Sequence, residues 1–407
     1  MFQIRQAKAW LPLCVFLMCA SSTAIAAAPS LAEMVSAAIA RNPGMELAGA
    51  ERGIADALQR KAEQPFAGDP SANLKYQTDA IGSDLGYREW EGGIDLPLWL
   101  PGQADGYAQE AARTEDVSQA ITDTIRLETA GRVRERLWAA AIARSEAEQA
   151  QDALNVANRL FEDVQRRVQA GELPRSDRLM AEKELLQREE RLQLARNQAV
   201  QAERLFTRYT GLDAPPRPPL ERPELAAGQG TDHPLLQLAQ QRVERARAHR
   251  DRVSGERRQG PNLWLGGKTA KVAAGYNYES AVGVELSMPF GTAGHAAPAL
   301  AEAESALTQA QVEQAATRLD LEDAQTLASL ELESATAALT QTARRLALAE
   351  ESLALSRRAF ELGETDLVRL LQAQADALSA RHDDQIRQLE HGQAIARLNQ
   401  ALGVIPQ

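Results

Sequence analysis

LNVANRLFEDVQRRVQAGELPRSD, residues Leu154 to Asp177, is the stretch that decides the fold. Leu154, Ala157, Phe161, Val164 and Val168 recur at alternating steps of three and four. Such a spacing holds an apolar seam on one side of a helix turn after turn, which is coiled-coil packing. Gly171-Glu172 then breaks the pattern, and Leu192, Ala195, Ala199, Ala202 and Phe206 restart it. Leu346, Ala349, Leu353, Ser356 and Phe360 repeat it once more, ahead of a second break at Gly363-Glu364. The pattern predicts long helices over about 104–170, 175–211, 294–362 and 365–402, with shorter helical stretches over about 31–63 and 232–257. A helix of about 67 residues, at about 1.5 Å per residue, is on the order of 100 Å long, which no compact domain accommodates.

The two breaks belong to a larger repetition. Asn42-Pro43 and His233-Pro234 each open a helical stretch, 191 positions apart. Pro70 and Pro261 each lead into a strand-like run, again 191 apart; Gly171 and Gly363, and Gly211 and Gly403, are offset by 192. Landmarks in one order at a near-constant offset predict two tandem copies, 27–215 and 225–407, joined by a Pro-rich link at 216–224. Each copy reads as helix, two strands and two very long helices.

Strands are predicted over about 72–80, 88–99, 262–270 and 279–290, and they alternate as a sheet between two different environments would. Trp90, Gly92, Ile94, Leu96 and Leu98 share one face of the second strand, with Glu89, Glu91, Gly93 and Asp95 on the other. In the fourth, Val282, Val284, Leu286, Met288 and Phe290 oppose Ala281, Gly283, Glu285 and Ser287. A sheet between lipid and water needs this pattern, and a half-exposed soluble sheet produces it too. Four strands cannot close a membrane barrel, whose smallest examples have about 8; three chains supply twelve, so oligomerisation is the expected way to remove the open edges.

Composition fits an exported, elongated protein. The chain has 407 residues, 4 % aromatics and a net charge of −11. That balance excludes nucleic acid as the main partner, which requires clustered positive charge. Arg5 and Lys8, the apolar stretch Trp10–Ala20 and the small-x-small site Ala24-Ile25-Ala26 predict a signal peptide over 1–26. Both cysteines, Cys14 and Cys19, fall inside it and follow Leu13 and Met18, so no lipobox is expected and no thiol chemistry remains downstream.

The whole remaining chain resembles the TolC-like family of outer-membrane efflux proteins. The resemblance rests on the tandem plan, the strand ends IDLPLWLPGQA (Ile94–Ala104) and VELSMPFGTAG (Val284–Gly294), the tips GELPRSD (Gly171–Asp177) and GETDLVRLLQA (Gly363–Ala373), and the closing LNQALG (Leu398–Gly403). It implies a mainly α fold with a small β part: a homotrimer whose long helices form an α-barrel reaching into the periplasm and whose strands form a 12-stranded barrel in the outer membrane. It also implies a periplasmic adaptor and an inner-membrane resistance-nodulation-division pump as partners. Family members of this length, with a compact equatorial part, look similar to the CzcC-like branch that serves heavy-metal exporters, and the resemblance implies that branch. The expected function is a passive outer-membrane duct, with divalent metal cations as leading cargo. Drugs or type I secreted polypeptides are the alternative cargo, and a non-pore periplasmic coiled-coil scaffold the alternative architecture.

No HExxH, GxxxxGKS/T, GxSxG or strand-linked GxGxxG occurs, so neither an enzyme nor a cofactor is expected. The most ligand-like cluster, His382-Asp383-Asp384, sits on a predicted helix where adjacent positions diverge, and no metal site is assigned to it. The candidate functional residues are instead positional. Trp90, Ile94, Leu96, Val284, Leu286 and Phe290 are expected to face lipid, and Asp95 and Glu285 to line the lumen as a band of carboxylates. Gly171, Asp177, Gly363, Arg369 and Gln372 mark the periplasmic tips and gate. Family members with an acidic aperture carry aspartates where this chain has Arg369 and Gln372; Asp177 is retained, which points to an Asp177–Arg369 pairing instead of a double aspartate ring.

Overall fold

The computed structural model describes residues 29–219, 221–224, 232–290 and 293–406. The predicted signal peptide lies outside them. In chain order the elements are α1 (Leu31–Ile39), α2 (Met45–Ala62), β1 (Ser71–Thr78), β2 (Arg88–Pro97), α3 (Gln103–Gln169) and α4 (Arg175–Thr210). There follow α5 (Pro234–Gly255), β3 (Asn262–Lys271), β4 (Glu279–Ser287), α6 (Ala293–Glu361) and α7 (Leu367–Ala401). The chain is mainly helical, and the order helix, strand, strand, long helix, helix occurs twice.

Prolines cut three of the expected elements. The helical stretch at 31–63 is two helices, because Pro43 removes a donor and the Asn42 side chain turns back to accept from the Gly44 N–H at 2.9 Å. β2 ends at Pro97 and β4 at Ser287. Pro97 and Pro289 have no N–H to give a ladder, so Leu98 and Phe290 lie beyond the strands.

The four strands form one antiparallel sheet in the order β1-β2-β3-β4. β1 and β4 are its open edges. The helices pack beside it as two hairpins, α3 with α4 and α6 with α7, joined through α3 and α7. The heptad positions meet this packing: Ala157, Val164, Leu192, Ala195, Ala199 and Phe206 are buried, while Leu346, Leu353 and Ser356 are half-buried beside buried Phe360. One core cluster joins α1 to the hairpin through Met34, Val35, Val133, Leu137 and Phe206. Another lies at the hairpin tips, where Leu160, Val164 and Ala181 pack with Phe360, Leu367 and Leu370.

The two long helices differ in their surroundings. α3 is packed by α1, α2, α4, α5 and α7, whereas α6 packs on α5 and α7. A second apolar stripe on α6, formed by Val312, Leu319, Leu327, Leu348 and Leu355, is exposed. On α4, Leu179, Leu186, Leu194 and Leu205 are exposed as well.

Candidate functional site

Pairing register sorts every strand residue onto one of two faces. On the first, Leu74, Gly92, Gly267 and Val282 lie in one row, and Ala72, Ile94, Leu265 and Val284 in the next. Leu96, Leu263 and Leu286 make a third. Tyr76 and Trp90 close this face toward the β1–β2 turn, their ring centroids 4.4 Å apart. Its three rows nearer the helices are apolar and uncovered, with Val282 95 % exposed and Val284 74 %, while toward the turns the same face carries Thr269, Ser280, Arg88 and Lys271. A contiguous apolar patch of this kind is rare on a monomer in water and marks a surface meant for lipid or protein. Of the six residues expected to face lipid, Trp90, Ile94, Leu96, Val284 and Leu286 have this parity within the strands, whereas Phe290 lies beyond the end of β4.

The opposite face is polar. Ser71, Asp95, Trp264 and Glu285 share a single row, so the two expected carboxylates come from β2 and β4 at one level and flank one tryptophan. Asn73 and Asn262 donate to the two oxygens of Asp95 at 2.5 and 3.1 Å. Asn73 therefore holds Asp95 from one neighbouring strand and Asn262 from the other. Nearer the β1–β2 turn, Lys75, Glu91 and Lys268 make a mixed row, with Lys75 3.7 Å from Glu91. Glu89 and Glu279 complete the set, giving five carboxylates and two ammonium groups on one face. The lysines, the asparagines and Trp264 escaped the sequence reading, although strand parity in NLWLGGKTAK (Asn262–Lys271) already puts Trp264 opposite Leu263 and Leu265.

At the far ends of the long helices the two tips are built alike. Gly171 and Gly363 have φ of 78° and 74°. Each ends its helix by the same double turn, Gly171 N–H donating to Val168 and Glu172 N–H to Arg167, and Gly363 N–H to Phe360 and Glu364 N–H to Ala359. Only glycine holds this left-handed conformation without strain, which makes both breaks obligatory. The next helices start differently. Pro174 precedes α4, while Asp366 caps α7 by accepting from the Arg369 N–H at 2.9 Å. Arg369 and Gln372 are exposed and Asp177 is half-buried. Within one chain Asp177 and Arg369 form no ion pair; the Asp177 carboxylate accepts instead from the Ser176 hydroxyl at 3.2 Å.

The His382-Asp383-Asp384 cluster is spent on helix packing. His382 faces Gln149 at 3.2 Å, Asp383 pairs with Arg345 at 2.7 Å, and Asp384 accepts from Thr342 and Gln388. Among the described residues no group of three or more His, Cys, Asp and Glu is arranged to hold a metal ion. None of the described helices is long and apolar enough to cross a membrane.

Solved structures share this architecture. The outer membrane protein VceC from Vibrio cholerae superposes with a TM-score of 0.72, covering 92 % of this chain and 96 % of its own at 16 % identity. This chain has their fold. The open state of the Neisseria gonorrhoeae MtrE outer membrane channel gives 0.71 at 19 % identity, with 92 % and 89 % of the two chains covered. CusC, whose structures describe transmembrane channel formation, gives 0.72 at 16 % identity and 92 % coverage of each chain. No family model and no curated protein matches the sequence.

Proposed function

We propose that this protein is the outer-membrane conduit of a tripartite export system, acting as a homotrimer. The observation that carries the proposal is the open four-stranded sheet, apolar on one face, with unpaired edges at β1 and β4. In lipid every backbone polar group needs a partner, so such a sheet is viable only when closed. Three copies close it with twelve strands of 8 to 10 residues, near the 9–11 that span a bilayer at a tilt. The exposed stripes on α4 and α6 support association between copies, since they leave apolar residues of both hairpins uncovered within one chain.

In this assembly 27–215 and 225–407 act as two repeats around the 216–224 link. The apolar face meets lipid, Asp95 and Glu285 line the lumen, and the long hairpins project into the periplasm. There the tips meet a periplasmic adaptor and, through it, an inner-membrane resistance-nodulation-division pump. We place the Asp177–Arg369 pairing at the aperture, between copies. The excess of carboxylates on the polar face supports cation passage, and we take divalent heavy-metal ions, as in the CzcC-like branch, as the cargo.

Single-channel recording of the reconstituted protein tests the proposal. Cation-preferring conductance is expected, weakened but not abolished in the Asp95→Asn, Glu285→Gln double variant. An anion-selective channel overturns the carboxylate band. An assembled protein that does not conduct overturns the duct and favours a coiled-coil scaffold.

A further inference from the structure

Trp264 is the largest side chain on the polar face, and it does not stand up from the sheet. The adjoining row is Asn73, Gly93, Gly266 and Gly283, one residue from each strand. Three missing Cβ atoms in line leave a trench, and the indole lies in it. A Cβ added at Gly93 falls 2.4 Å from Trp264 Nε1 and 2.5 Å from Cε2. At Gly266 it falls 2.3 Å from Cζ2, and at Gly283 3.0 Å from Cζ3. Glycine within a strand commonly marks such a close approach. The indole N–H donates to Asn73 Oδ1 at 3.3 Å, and the Asn73 amide donates in turn to Asp95. One side chain rooted on β3 thus bears on all four strands.

We propose that the glycine trench and Trp264 together set the free bore of the barrel at the carboxylate row. The proposal rests on the duct reading above, in which this face lines the lumen. Laid flat, three indoles in a trimer form part of the wall; lifted, they obstruct it. Through Asn73, Trp264 is also a positioning residue for Asp95, because its N–H occupies the Asn73 carbonyl oxygen and leaves the amide hydrogens for the carboxylate.

Gly93 gives the sharpest test. The three heavy atoms nearest a Cβ there all belong to Trp264, whereas at Gly266 the carbonyl oxygen of Gly92 lies 2.5 Å away. Single-channel conductance and cation preference are measured for Gly93→Ala, Trp264→Ala and the double variant, all in reconstituted trimers. Gly93→Ala is expected to lose conductance, and Trp264→Ala to conduct at least as well as the parent. The double variant should behave as Trp264→Ala, since no indole remains to be displaced. If Gly93→Ala fails to assemble, assembly should return in the double variant. Trp264→Phe keeps a ring in the trench without its N–H, so its conductance should hold while cation preference falls. Equal losses from Gly93→Ala with and without Trp264, failure of the double variant to assemble, or an assembled Gly93→Ala with parental conductance each overturn the proposal. A parent trimer that never conducts overturns the duct itself.

Discussion

Leu127 on α3 and Leu319 on α6 occupy corresponding positions under the 192-residue offset, yet one is 1 % exposed and the other 62 %. Ala120 and Val312 repeat the contrast, buried on α3 and exposed on α6. The helices have nearly equal lengths, 67 and 69 residues, so intrinsic helix preference does not separate them. Neighbours do: α3 is surrounded within its own chain, and α6 is served by α5 and α7. On the proposed assembly the bare position of Leu319 meets a neighbouring copy, and the two leucines then report on different equilibria, folding for one and assembly for the other.

Truncating both residues breaks or sharpens that comparison. Leu127→Ala is expected to cost about 2–5 kcal/mol in chemical denaturation, the usual range for emptying a leucine site in a core. Leu319→Ala should leave hairpin stability nearly unchanged in detergent-dispersed single chains while lowering the yield of trimer on native gels. If Leu319→Ala destabilises dispersed chains as much as Leu127→Ala, α6 is already buried within one copy.

The same logic applies between adjacent residues of β4. Leu286→Arg puts a charge on the apolar face in the row next to the helices, so it should cost less than the roughly 2–4 kcal/mol of a bilayer-midplane position while still impairing assembly. Glu285→Arg, one position away on the polar face, should assemble almost normally. Outer-membrane fractionation and heat-modified migration distinguish them, and equal impairment breaks the face assignment.

A smaller contrast lies at the paired helix starts. Asn42 and His233 each accept from the N–H two residues on, at 2.9 and 3.2 Å, but only the histidine titrates. Burial lowers the His233 pKa from the ordinary 6.5, so the folded chain favours neutral imidazole, whose Nδ1 is free to accept. Its stabilising contribution is present above pH 6.5 and is lost as pH falls toward the folded value, because the unfolded chain takes up the proton first. His233→Asn should keep most of a cap contribution of about 1 kcal/mol and flatten the thermal stability profile below pH 6.5.

The least energetic pair is at the tips. On the proposed pairing between copies, Asp177→Arg meets Arg369 with like charge and should raise closed-state conductance, and Asp177→Arg with Arg369→Asp should partly restore closure. Each exposed pair contributes only about 0–1 kcal/mol, and high salt should shrink the difference. Normal assembly with unchanged conductance leaves closure to the Phe360 and Leu367 cluster alone.

Most of the fold was legible because its signals are periodic. Alternation located all four strands, and seams of three and four located the long helices, since each period maps directly onto a face. The stops were less legible: Pro43, Pro97 and Pro289 cut elements that apolar pattern alone carries onward. At the site, Asp95 and Glu285 could be put on one face but not connected. Asn73 and Asn262 reach Asp95 from 22 and 167 positions away, a juxtaposition fixed by strand pairing and not by any local pattern. Trp264 was hidden for another reason. Hydrophobicity assigns a tryptophan to the apolar side, and only parity together with three glycines on different strands places it on the other.

The bare β1 and β4 edges carry a kinetic consequence. On a threefold closure, a pair of copies is an eight-stranded ribbon with two raw edges still exposed, no better satisfied in lipid than a single copy. The landscape then offers no comfortable halfway species. The rate of maturation should climb steeply with the number of copies delivered to the membrane. A slight excess of synthesis over delivery should leave chains waiting where proteases can take them.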